Sequence, residues 1–206
     1  MKILCLLVTC FNPTNARCSR NQVREKQFVD GITKFLEYKH ILDQHDVKIC
    51  LVDNSCDTMP SYISNLLPND VIINVQNNNK GERNKGVGLI WQWKQCQDII
   101  KEYDYIIHFE PRQIMVNFNF INSFLSRPRT LLNINNRNHM INTGLLCIDS
   151  NSLIKYIDNA DTTMMNEKSI CIEGDLMKFI DRERIGYDTE ESLNIIWHDG
   201  INPVNM

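Results

Sequence analysis

The side chains able to do chemistry in this chain are gathered in a few short segments separated by apolar runs. Thr9-Cys10-Phe11-Asn12-Pro13 brings together a hydroxyl, a thiol and an amide, and Asp53-Asn54-Ser55 sets a carboxylate beside an amide and a hydroxyl. Asn77-Asn78-Asn79-Lys80-Gly81 ends a run of amides in a cation, with Arg83 close behind. His108-Phe109-Glu110-Pro111-Arg112 holds an imidazole, a carboxylate and a guanidinium. An ionised carboxylate only accepts hydrogen bonds, so it suits the N–H and O–H groups of a ligand. Lysine and arginine suit phosphate oxygens. The combination fits an anionic, hydroxyl-rich ligand better than a hydride-carrying cofactor.

Each of these segments follows an apolar run of strand length, at residues 2–9, 47–52, 71–75 and 105–109. Between the runs the periodicity is helical. Val23, Phe28, Ile32, Phe35, Leu36 and Leu42 approximate one face of a helix over residues 21–44. A short helix is expected over 62–67, ahead of the turn Pro68-Asn69-Asp70, and an amphipathic helix over 85–101. Strand–helix alternation with nearly continuous apolar strands predicts a mostly parallel sheet covered by helices on both faces, with right-handed crossovers. Such sheets bind ligands beyond the carboxyl ends of their strands, where the strand order reverses. That is where all four segments fall. Later in the chain the pattern loosens to helices over 118–125, 151–158 and 173–181 and strands over 130–134, 145–148 and 193–197. No repeat, low-complexity tract or linker divides the chain. The expectation is one α/β domain over residues 1–206, with a ligand-binding half (1–112) and an acceptor and catalytic half (113–206).

Several function classes are excluded. Residues 9–20 contain no glycine, so the Gly-x-Gly-x-x-Gly turn that lets backbone approach a pyrophosphate is missing, and no P-loop Gly-Lys-Ser or Gly-Lys-Thr occurs. A formal net charge of -3 without a long basic cluster argues against nucleic acid as a partner. The apolar run at residues 3–8 is too short to span a membrane. Eight cysteines include no Cys-x-x-Cys pair, and Cys5, Cys50 and Cys147 lie in apolar strand-like runs where a thiol acts as a small hydrophobe. Free cysteines and no membrane segment together predict a cytoplasmic protein.

Val8-Thr9-Cys10-Phe11-Asn12, then Leu51-Val52-Asp53-Asn54-Ser55 with Asp57 behind it, then Asn79-Lys80-Gly81 opening a helix, resembles a GT-A glycosyltransferase over roughly residues 3–112. The resemblance implies a nucleotide-sugar donor, a UDP-sugar favoured, and a saccharide or glycan acceptor. It places the nucleoside against Thr9, Phe11 and Asp53, with Phe11 near the base and Asp53 accepting hydrogen bonds from base or ribose, and counts Asn12 and Asn54 among the donor-binding residues. Asn79, Lys80 and Arg83 would approach the diphosphate or sugar. Each segment also has a plainer reading. Asp53-Asn54-Ser55 suits a strand-ending turn, Lys80 and Arg83 suit a solvated loop, and Phe11 suits the core. Trp91 and Trp93, two apart on a helix, face different sides and suit packing.

GT-A enzymes usually end the fourth strand with Asp-x-Asp, whose carboxylates hold a divalent cation on the sugar diphosphate. Here Glu110 takes the last acidic position and His108 the first. One carboxylate with an imidazole accepts Mn²⁺ more readily than Mg²⁺. Alternatively, Arg112 supplies the positive charge and makes the metal dispensable. A third outcome is a catalytically inactive module that binds a nucleotide or glycan. Asn142-Thr143-Gly144 resembles the Asn-x-Gly segment lining the donor-sugar pocket, which implies roles for Asn142 and Gly144 beside Glu110 and Arg112. Glu173-Gly174-Asp175 resembles the acidic motif supplying the base in inverting members, with Asp175 preferred over Glu173; acids at a helix N-terminus are also favoured by the macrodipole alone. His198, in Trp197-His198-Asp199, corresponds to a late histidine that contacts metal or diphosphate. A sugar nucleotidyltransferase would need a glycine-rich first loop, which residues 9–20 do not supply.

Overall fold

Alternation of apolar residues to opposite sides of one sheet sets the architecture. The computed structural model describes residues 1–13, 21–78, 80–134, 140–181, 185–187, 195–199 and 202–205. All seven residues of β1 (Ile3–Thr9) are buried. Ile3, Cys5 and Leu7 face one apolar cluster, and Leu4, Leu6 and Val8 face the other. This is the period of a strand covered on both sides.

The chain continues through α1 (Asn21–Leu36), α2 (Lys39–Gln44), β2 (Val47–Asp53), α3 (Ser61–Ser64) and β3 (Ile72–Val75). Next come α4 (Lys85–Gln95), α5 (Gln97–Ile100), β4 (Tyr105–Phe109), β5 (Ile114–Met115), α6 (Asn119–Ser126) and β6 (Thr130–Leu132). The remainder is β7 (Leu145–Asp149), α7 (Ser150–Asn159), α8 (Thr162–Lys168), α9 (Ile172–Asp175) with a 3-10 turn (Leu176–Lys178), β8 (Ile185–Tyr187), β9 (Ile195–Asp199) and β10 (Asn202–Asn205). Among the described residues seven strands form the main sheet in the order β3-β2-β1-β4-β7-β6-β8, and β10-β9-β5 form a second, smaller one. β3, β2, β1 and β4 run parallel, β7 runs antiparallel to β4, and β6 and β8 pair in parallel. Strand order therefore reverses beside β1: the chain moves outward to β2 and β3, then returns to the other side of β1 as β4.

Phe28, Ile32 and Phe35 of α1, Leu42 of α2, Ile63 of α3 and Phe124 of α6 cover one face. Trp93 of α4, Ile100 of α5, Tyr156 of α7 and Ile172 of α9 cover the other. Cys5, Cys50 and Cys147 are fully buried in these clusters, as small apolar residues would be.

Differences from the sequence reading have local causes. The helix expected over 21–44 breaks between α1 and α2, where Tyr38 stacks on Phe118 (ring centroids 4.8 Å apart, 15° between planes) and donates its hydroxyl to the Val116 carbonyl at 3.2 Å. The helix over 85–101 divides at Cys96, whose amide is shared between the Gln92 and Trp93 carbonyls. The helix over 173–181 shortens to one α turn and the 3-10 turn. The strand over 130–134 ends at Leu132, and Ile134 makes only an isolated bridge to Ile141. β5, α8, β8 and β10 are too short or too polar to register in the hydrophobic pattern.

Candidate functional site

A cavity of about 160 Å³ opens at the carboxyl ends of β1, β2 and β4, beside the strand-order reversal. Thr9 and Cys10 reach it from β1, Asn54 and Ser55 from β2, and Glu110 and Arg112 from β4. From either side of the sheet, α1 contributes Arg24 and Phe28 and α4 contributes Lys85 and Gln92. Four strand-end segments were expected to converge here. Three do so directly, and the third loop sends Gly81 and Glu82 to the rim.

Asp53 is the knot of this region rather than a ligand group. It has no exposed surface. One carboxylate oxygen accepts from the Thr9 hydroxyl (3.0 Å) and the Phe11 amide (2.9 Å). The other accepts from the Ser55 amide and hydroxyl (both 2.7 Å) and the Cys56 amide (3.1 Å). Five donors saturate the carboxylate, so the expected bond to base or ribose is replaced by a clasp joining the ends of β1 and β2. Asn12 joins the same clasp, its amide donating to the Ser55 hydroxyl at 3.0 Å. Phe11 is core: it is 5% exposed and packs edge-on against Phe28 and Tyr62. The expected base contact from its ring is corrected accordingly.

The amides on the cavity wall are committed in a definite sense. Asn54 Nδ2 donates to the Gly88 carbonyl (3.1 Å) and to Asn78 Oδ1 (3.3 Å). Gln92 Nε2 donates to the Thr9 carbonyl. Both main-chain acceptors require the nitrogen of each amide, which fixes which way the amides are turned.

The cations are redistributed relative to expectation. Lys80 is exposed, and its ammonium lies 5.1 Å from the Trp91 ring, which Lys94 also approaches at 5.0 Å. Arg83 is exposed and outside the cavity lining. Asn79 lies outside the described residues. The positive charge comes instead from Arg24, Lys85 and Arg112. Arg24 is held by its Nε bond to the Cys10 carbonyl (2.7 Å) and sits 5.4 Å from the Phe28 ring centre. Sequence reasoning missed Arg24, Lys85 and Gln92. Gln92 carried a usable signal, a polar residue in the apolar stripe of Leu89, Ile90 and Trp93 and only 4% exposed.

At the end of β4, alternate residues behave in opposite ways. His108 is fully buried, and its Nδ1 accepts the Trp93 indole N–H at 3.2 Å. Burial drives its pKa down to about 3, opposed only by the Thr143 backbone. It does not line the cavity, so the structure corrects the expectation that His108 is a metal ligand. Glu110 is half-buried and does line it. Burial raises its pKa above the ordinary carboxylate value; Arg112 opposes this, Glu173 adds to it, and Lys85 and Arg24 also oppose it.

Two glycines let this strand end be held tightly. A Cβ on Gly31 of α1 would lie 1.9 Å from the Pro111 carbonyl oxygen and 2.6 Å from that of Gln113, so bare helix backbone packs on the 111–113 loop. A Cβ on Gly144 would lie 2.2 Å from Gln113 Nε2. The Gly144 carbonyl accepts the Glu110 amide at 2.9 Å, and Asn142 Oδ1 accepts the Gly144 amide at 2.9 Å. Asn142 and Gly144 thus brace Glu110 from behind. They do not line the cavity, in contrast to the donor-sugar contact expected of them.

The two late acids are separated by the single turn of α9. Asp175 is turned inward, accepting the Tyr156 hydroxyl at 3.2 Å and pairing with Lys178 at 2.6 Å. Both carboxylate oxygens of the residue preferred as the base are therefore engaged by protein partners. Glu173 remains close enough to Glu110 for its charge to raise that group's pKa. Asn84 anchors α8 and the connection that leads into α9, donating to the Met165 and Ile170 carbonyls while capping α4 through the Gly86 amide. His198 falls on β9, which pairs with β5 just after Arg112; its side chain lies outside the described residues. Among the described residues no group of three or more His, Cys, Asp or Glu is gathered to hold a metal ion. With His108 in the core, the carboxylate that follows β4 stands among Arg24, Lys85 and Arg112, an environment that disfavours a divalent ion.

No protein-family profile matches the chain, and no curated protein matches it in sequence. Among solved structures, the galactosyltransferase LgtC in complex with donor and acceptor sugar analogs aligns over 91% of this chain and 73% of its own, with a TM-score of 0.50 at 9% identity. An active-site mutant of LgtC aligns over 91% and 72%, with a TM-score of 0.53 at 8% identity. A glycosyltransferase involved in glycosylation of the major capsid of PBCV-1 covers 94% and 85%, with a TM-score of 0.46 at 13% identity. Identities this low carry the fold and no residue roles. With its strand order and the LgtC alignments taken together, the chain has the GT-A-like glycosyltransferase fold.

Proposed function

We propose that the chain transfers a sugar from a nucleotide-diphosphate sugar, UDP favoured, to a saccharide or glycan acceptor. The observation carrying this reading is the convergence of Arg24, Lys85 and Arg112 around Glu110 in the cavity at the strand-order reversal. Cations so placed suit a diphosphate. Asn54 spends both amide hydrogens on protein acceptors, and Gln92 donates to main chain. Their amide oxygens are then left to accept from a base N–H, such as the single N3–H of uracil. Glu173 is assigned as the base that accepts the acceptor hydroxyl's proton as that oxygen attacks the anomeric carbon. One displacement of this kind inverts the anomeric centre. The residues 1–112 act as the donor half and 113–206 as the acceptor half. Among the described residues no helix is long and apolar enough to cross a membrane, and the acidic net charge of -3 does not favour a nucleic-acid partner.

A second reading, an inactive module that binds nucleotide or glycan, is favoured by the inward turn of Asp175 and the single carboxylate at the end of β4. Incubation with UDP-, GDP- and dTDP-sugars and a mixture of saccharide acceptors separates the two. Release of nucleotide diphosphate that increases with acceptor is expected. Thermal stabilisation by one donor without release would favour the inactive module, and neither stabilisation nor release would overturn both.

A further inference from the structure

The GT-A fold implies a divalent cation, and the residues at the end of β4 do not suit one. The first position of the expected acidic pair is His108, buried and bonded to Trp93. The second is Glu110, whose neighbours include Arg112, Lys85 and Arg24. A cation arriving here would meet three positive side chains within electrostatic reach of Glu110. A diphosphate arriving here would meet the same three charges as partners. The cavity lining carries Arg24, Lys85 and Arg112 against Glu82 and Glu110, so it is net positive before any ligand binds.

We propose, on the reading that the ligand is a nucleotide sugar, that Arg24, Lys85 and Arg112 hold the diphosphate and that no divalent cation is required. As the acceptor oxygen bonds to the anomeric carbon, the bond from that carbon to the β-phosphate oxygen breaks. The bonding electron pair passes to the departing diphosphate, where fixed cations stabilise it, and the acceptor's proton passes to Glu173. Arg112 follows Glu110 on the loop pressed against Gly31, and Arg24 is anchored to the Cys10 carbonyl. One charge therefore sits on a braced loop and a second is held by its own side-chain hydrogen bond, as preorganised stabilisation requires.

The test is calorimetric titration of the full chain with UDP and with uridine, each in EDTA and in Mn²⁺. UDP should bind in EDTA with affinity within about threefold of that in Mn²⁺. Arg112→Ala should weaken UDP by roughly tenfold or more, as loss of a charge-assisted contact does, and leave uridine unchanged. Lys85→Ala, at an exposed position at the start of α4, should do the same and guards against misfolding of the first variant. UDP binding that depends on Mn²⁺ would overturn the cation-free site while leaving the donor reading intact. No binding of UDP, GDP, dTDP or uridine in either condition would overturn both.

Discussion

Acidification should destabilise this protein through His108 by an amount that can be isolated. The folded imidazole has a pKa of about 3, against an ordinary value of 6.5. Between those values the unfolded chain binds a proton that the folded chain refuses, so the stability contribution is complete above pH 6.5 and is lost as pH falls. Each pH unit below 6.5 costs about 1.4 kcal/mol. At pH 5 the loss is roughly 2 kcal/mol, a sizeable part of the ~5–15 kcal/mol that holds a typical domain folded. Urea denaturation of wild type and His108→Leu at pH 7.5 and pH 5 isolates it, because other titrating groups cancel in the double difference. At pH 7.5 the variant should be weaker by about 1–3 kcal/mol, since the Trp93 N–H loses its acceptor. At pH 5 that deficit should shrink by roughly 2 kcal/mol. A deficit equal at both pH values would mean that His108 titrates normally, as an accessible ligand would, and the placement in the core would be wrong.

Three further outcomes follow from the same geometry. Asp53→Asn turns an NH₂ toward backbone donors whichever way the amide faces, the Phe11 amide on one side or the Ser55 and Cys56 amides on the other. A loss of about 3–5 kcal/mol is expected in chemical denaturation, and near-native stability would contradict the clasp. Gly31→Ala should stabilise an ordinary helix by about 1 kcal/mol. Here the Pro111 carbonyl stands 1.9 Å from the new Cβ, so a loss of roughly 1–3 kcal/mol is predicted instead; a raised Tm would count against the packing of α1 on the loop. Glu110→Gln should raise stability at neutral pH, because the folded carboxyl holds its proton more tightly than the unfolded one and ionising it opposes folding. That gain should shrink as pH falls through the folded carboxyl's raised pKa and be gone by about pH 4.5, the ordinary carboxylate value, and a variant less stable than wild type at pH 7.5 would contradict the burial argument.

The strands, the two-sided cover and the place of the cavity were legible because burial on both faces writes nearly continuous apolar runs into β1, β2 and β4 and a helical period into α1 and α4. Which polar groups face the ligand was less legible. Asp53 ends β2 and Arg112 follows β4, yet Asp53 points among backbone and hydroxyl donors while Arg112 borders the cavity. The choice depends on loop geometry that a linear pattern does not encode. His108 and Glu110 illustrate the same limit, since identical spacing places one under Trp93 and the other at the cavity. Arg24 and Lys85 lie in the first turns of helices, where a cation ordinarily reads as a solvated surface charge. Asp175 and Glu173 were separable only once the turn of α9 showed Tyr156 and Lys178 claiming the former.

The central claim is that the cavity between the ends of β1 and β4 receives a nucleotide sugar. A crystal structure of the chain soaked with a UDP-sugar in EDTA tests it most directly. The account predicts the nucleotide in that cavity, with diphosphate oxygens about 3 Å from the side chains of Lys85 and Arg112. A nucleotide bound elsewhere on the chain, or seated in the cavity with its diphosphate directed away from both cations, would contradict it.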